Sequence, residues 1–161
     1  MTRLRWPAQL PPDDELGAVV HGPVVLARSP GIAAGLRCVF AHPTGLHLPL
    51  VLRAEGVQAE AAGRRAGWRP GDDRADRDPW SGVLLTAELD GATRPVDPAG
   101  RTTTGSADHF HLRAGYWIGA LPSDGRLRLT VGWPQAGLAE HSTELELGPL
   151  DGLGERVRLL R

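Results

Sequence analysis

His109 and His111 stand two residues apart, directly after Asp108. On a strand this spacing aims both imidazoles at one face, where they can share a metal ion. A cupin-type centre would add a carboxylate a few residues on and a distant third histidine. Leu112, Arg113, Ala114 and Gly115 follow instead, and only His42, His47 and His141 are candidate third ligands. The pair therefore supports a metal-dependent enzyme as one alternative. Solvated histidines on an exposed strand are the leading expectation, with no metal and no cofactor.

Nucleophilic chemistry has less to build on. Ser81, Ser106, Ser123 and Ser142 sit in no Gly-x-Ser-x-Gly elbow. Cys38 alternates with Leu36 and Phe40 and reads as a small buried hydrophobe. The run GRTTTGSAD at 100–108 reads as a polar loop and lacks the Lys-Ser/Thr of a phosphate loop. No catalytic residue is expected. Trp117 is more informative. It lies between Tyr116 and Ile118, so alternation turns it outward, four residues from Arg113. An outward Trp beside an Arg suits an interface or a sugar platform. Cover by the N-terminal arm or by the 55–80 loop is the leading expectation, and an intermolecular site the other. Trp68 and Trp80 are further candidate stacking residues.

The elements that would carry these residues are strands. Phe110, Leu112, Ala114, Tyr116 and Ile118 alternate with small or polar residues, as do Leu127, Leu129, Val131 and Trp133. Pro122 to Gly125 is turn chemistry. A four-residue hairpin there would pair Ile118 with Leu129 and Tyr116 with Val131. Upstream, Gly17 to Ser29 reads as one or two strands broken at Gly22-Pro23. Ile32 to Pro43 reads as one strand, and a three-residue turn would pair Phe40 with Leu48 and Leu36 with Leu52. Pro49 cannot donate to a ladder, which predicts an edge strand or a bulge. Asp90-Gly91 is a two-residue hairpin signal. Residues 1–16 form an extended arm, with Trp6 able to dock on the body. Residues 55–80 lose the alternation and read as a long polar loop, with one helical turn possible at Ala59 to Ala62. After Leu147, a short helix is weighed against a strand.

Composition bounds the rest. One domain fits 161 residues, here 17–161 after the arm. The net charge of −1 gives no whole-protein field for nucleic acid or acidic lipid. The chain has no Lys or Asn and abundant Ala, Arg, Gly and Pro, the bias of a high-GC genome. The single Cys excludes an internal disulfide. No signal-peptide core and no membrane span is visible, which predicts a cytoplasmic chain with no membrane partner.

FAHPTGLHLPLVLR, and later YWIGALPSDGRLRLTVGWPQAGLAEHSTELE, resemble a family of uncharacterised actinobacterial all-β proteins of about this size. Its members carry a Pro-Thr-Gly between two early strands and a late strand ending in Trp-Pro. Residues 23–53 and 108–147 carry the resemblance. No known activity attaches to that family, so the resemblance implies a fold and little more.

The sequence thus predicts an antiparallel β-sandwich of seven to nine strands, immunoglobulin-like or jelly-roll-like, with a small barrel as the alternative. It predicts a non-catalytic interaction module that docks to another protein or self-associates. A small-ligand or carbohydrate binder using Trp68, Trp80 or Trp117 is the first alternative. The His109/His111 enzyme is the second.

Overall fold

In a computed structural model, which describes residues 4–65 and 82–161, 56% of the described residues are strand and 12% helix. They form two antiparallel sheets, of seven and four strands, that are not closed into a barrel.

The larger sheet begins with β1 (Ala18–His21) and β2 (Val24–Ser29), one ribbon interrupted at Gly22-Pro23. It lies beside β3 (Ile32–Leu36) and β4 (Val39–His42), a second ribbon interrupted at Arg37-Cys38. Then comes β5 (Gly45–Glu55), which pairs with both halves of that ribbon on one side. On its other side runs β9 (His109–Ile118), followed by β8 (Pro98–Gly105). The smaller sheet has the order β11 (Leu138–Glu146), β10 (Arg126–Trp133), β6 (Leu84–Leu89), β7 (Ala92–Val96).

The break at Arg37-Cys38 changes the parity of the ribbon. Before it Ile32, Ala34 and Leu36 face inward; after it Val39 and Ala41 do. A strand assumed continuous puts Cys38 and Phe40 in the core, and both are instead half-buried. The link to β5 is also one residue shorter than expected: His42 faces Gly45 and Phe40 faces His47 rather than Leu48. A one-residue slip flips a side chain to the other face. Phe40 accordingly stacks on His47 outside, ring centroids 5.8 Å apart. The break also explains Pro49. Its strand is central, not an edge. Its carbonyl accepts from the Arg37 N–H across the break, and its missing N–H falls in the stretch between the β3 and β4 pairings, where β5 has no ladder bond to donate.

The expected hairpin between β9 and β10 does not form. The two strands belong to different sheets, and residues 119–125 cross between them. Asp90 holds this crossing on the smaller sheet: its carboxylate accepts from the Ser123 N–H at 2.9 Å and the Ser123 hydroxyl at 2.7 Å. The predicted burial survives because both strands face one core from opposite sides. Leu112, Tyr116 and Ile118 meet Leu127, Leu129, Val131 and Trp133 there. Phe110 packs edge-on against Trp133 at 5.9 Å. Asp90 and Gly91 both take positive φ, 49° and 77°, as a two-residue hairpin turn between β6 and β7 requires.

Two stretches read as loop are ordered elements. Residues 98–105 are strand β8, not a polar loop. Ten residues of the 55–80 stretch form helix α1 (Gly56–Arg65), with Ala59 and Ala62 buried against β5, β9 and the 3-10 turn Pro134–Ala136. A short helix, α2 (Leu153–Arg156), follows Leu147. Along one flank the sheets are stitched together: Gly148 donates to the Val20 carbonyl at 2.7 Å, and Ala139 donates to Ser29 Oγ at 3.0 Å. On the other flank the chain passes from β7 to β8, and Trp6 pairs in parallel with Val96. Arg94 lies over the Trp6 ring at 4.9 Å.

Candidate functional site

The register of β5 and β9 places the sequence-predicted residues. His109 faces Glu55, His111 faces Arg53, Arg113 faces Val51 and Trp117 faces His47. All lie on the outer side of the larger sheet, opposite Leu112 and Tyr116. They do not form one site.

Trp117 follows the covered reading, not the platform reading. It points to the outer side, yet only 3% of it is exposed. A Cβ on Gly45 would lie 2.7 Å from its ring, and the His42 ring meets it edge-on at 5.5 Å. His42 in turn is 2% exposed, and its Nδ1 lies 2.9 Å from Glu15 Oε2. The N-terminal segment thus seals this end of the sheet, and Trp117 offers no platform. Sequence alternation finds the side of a strand but not what lies over it. A buried His–carboxylate pair can serve catalysis only with a nucleophile in reach. Among the described residues, His42 makes no other side-chain hydrogen bond. His47, half-buried beside it, has its pKa lowered by burial and then by the charge of His42. Trp68 and Trp80 lie outside the described residues.

His109 is exposed and His111 half-buried. The His111 pKa is lowered, by burial first and then by Arg113, Arg37 and Arg53. Three guanidinium groups around an imidazole repel a metal cation as they repel a proton. Among the described residues, no three His, Cys, Asp or Glu side chains gather as metal ligands.

What the outer face does bring together is arginine over an apolar floor. Val25, Ala33, Gly35 and Val51 form a shallow depression of about 400 Å³, with Arg37 and Arg53 at its rim. A second depression, of about 250 Å³, continues past Ala33 to Arg28 and Glu55. Arg113 stands beside Val51 on the neighbouring strand. Val25 is 53% exposed, and a side chain at Gly35 would come within 2.7 Å of the Val24 carbonyl. Arg53 pairs with Glu55 at 2.6 Å. Among the described residues, no carboxylate lies within ion-pair distance of Arg28, Arg37 or Arg113. Composition hid this group. Arg28, Arg37 and Arg53 looked like genomic bias, and only the pairing of four strands shows that they converge. The arrangement can bind carboxylates: guanidinium groups supply fixed donors, and a low-polarity floor strengthens each contact.

No family model, no curated protein and no solved structure matches this chain.

Proposed function

We propose that this protein is a non-catalytic interaction module whose larger sheet docks a carboxylate-bearing protein surface. The carrying observation is the outer face of that sheet, where Arg28, Arg37, Arg53 and Arg113 surround an exposed Val25/Gly35/Val51 floor. Arginines around a mostly apolar patch are a common anatomy of interface hot spots. Strand addition is a weaker reading, because one flank of the sandwich is stitched shut and the other carries Trp6. A flat face, unlike a deep cavity, suits another protein better than a small sugar.

Fluorescein-labelled poly-L-glutamate tests the surface directly. It should bind in low salt, weaken with added salt, and lose at least about tenfold in affinity to the double variant Arg37→Glu, Arg113→Glu. A single-stranded oligodeoxynucleotide serves as the second probe. Unchanged glutamate binding by the double variant would reject the surface. Tighter binding of the oligonucleotide would reject a protein as its partner.

A further inference from the structure

The opposite broad face of the sandwich carries the other charge. On the outer side of the smaller sheet, Glu88, Arg128 and Glu144 stand in one row across β6, β10 and β11. Arg126 and Glu146 form the next pair along. Glu140 lies over Gly132, where an added Cβ would come within 2.9 Å of its backbone. All four glutamates are exposed. Arg126 approaches Glu144 at 3.7 Å. Among the described residues, no cation lies within ion-pair distance of Glu88, Glu140 or Glu146. Four carboxylates against two guanidinium groups thus face one way. Around the depressions of the larger sheet, among the described residues, four guanidinium groups against one carboxylate, Glu55, face the other. A chain with a net charge of −1 has its charges separated across the thickness of two sheets.

We infer that the surface docked on the arginine face is the glutamate face of a second copy of this chain. The inference rests on the docking role proposed above and names the partner. Both faces are the outer sides of antiparallel sheets, so they can stack as layers. Opposite charge favours this pairing and penalises a like-with-like one. Leu84, 36% exposed among Thr86, Thr130 and Ser142, supplies apolar and hydroxyl surface to meet Val25 and Val51. The two patches are different surfaces, so the contact is heterologous. Each added copy presents a fresh arginine face at one end and a fresh glutamate face at the other. Association should therefore run head to tail, lengthen with concentration, and dissolve in salt.

Sedimentation velocity of the full chain tests this, with two charge-reversal variants: Arg37→Glu with Arg113→Glu, and Glu88→Arg with Glu144→Arg. Wild type should form species larger than a monomer that grow with concentration in low salt. It should be monomeric at roughly 0.5 M salt, where screening cuts the reach of charges to a few Å. Each variant alone should be monomeric, and an equimolar mixture should associate again. A variant that had merely misfolded would not be rescued by mixing. Wild type that stays monomeric at every concentration in low salt would overturn the inference, as would a dimer of fixed size that ignores salt. If poly-L-glutamate still binds that monomer and the arginine variant loses it, the docking surface stands and only self-association falls. If neither occurs, both fall.

Discussion

His47 sits at a junction of three influences: it stacks on Phe40, faces Trp117 across the β5–β9 ladder, and feels the charge of His42. Its lowered pKa means that the folded state holds the neutral ring more tightly than the unfolded chain does. The unfolded chain then binds the extra proton as pH falls through the ordinary histidine range near 6.5, and stability falls with it. An NMR titration should show His47 titrating below an exposed histidine. Replacing it by Gln should flatten the decline in melting temperature between about pH 7.5 and 5.5. Gly45 is the other residue whose role is sharply defined. A methyl group there would meet the Ile118 carbonyl at 2.2 Å and the Trp117 ring at 2.7 Å. Gly45→Ala should cost about 1–3 kcal/mol in urea unfolding, the usual penalty of an overpacked interior. Neither role is visible in sequence, because both depend on strands paired across long stretches of chain.

At the scale of elements, alternation located most of the strands and, except in β4, their buried sides, but not always their neighbours. Tyr116 and Val131 are both inside as the pattern requires, yet they belong to different sheets. A turn motif at Pro122 to Gly125 fits a crossing as well as a hairpin, and the bond to Asp90 decides between them. Asp90-Gly91 could be read outright, because its chemistry demands a specific backbone. The sequence could not reveal the break between β3 and β4, since no Pro or Gly stands at Arg37-Cys38. Helix α1 reads in sequence as a single turn at Ala59 to Ala62, and its full length is missed because its buried residues are alanines, which leave little hydrophobic period to detect. That helix packs on β5 and β9, so removing residues 60–65 would expose core rather than trim a free loop. Ala62→Asp should place an unpaired carboxylate in a fully buried position. Several kcal/mol of destabilisation should follow, with a midpoint well below wild type in chemical denaturation.

For the whole molecule, the all-β class followed from alternation and turn content, and the two-sheet architecture agrees with it. Far-ultraviolet dichroism should report dominant strand, and a helix-dominated spectrum would contradict the structure. Trp133 joins the two layers by packing on Phe110 at 0% exposure. Trp133→Ala should cost about 3–5 kcal/mol, read from the urea midpoint, as large aromatic truncations in a packed core do. The separation of charge between the two faces was not legible, because residues 28, 37, 53 and 113 are far apart in the chain and converge only once it is folded.

The stitched flank also sets an order of assembly during synthesis. β1 and β2 leave the ribosome early, yet their covering contacts come from residues 139–148, near the opposite end of the described chain. Until then the edge that holds Val20 and Leu26 stays bare, and a bare strand edge invites pairing with other chains. Nascent chains stalled before residue 138 should thus remain protease-sensitive even with β1 to β5 fully extruded, and be the species most in need of chaperone protection.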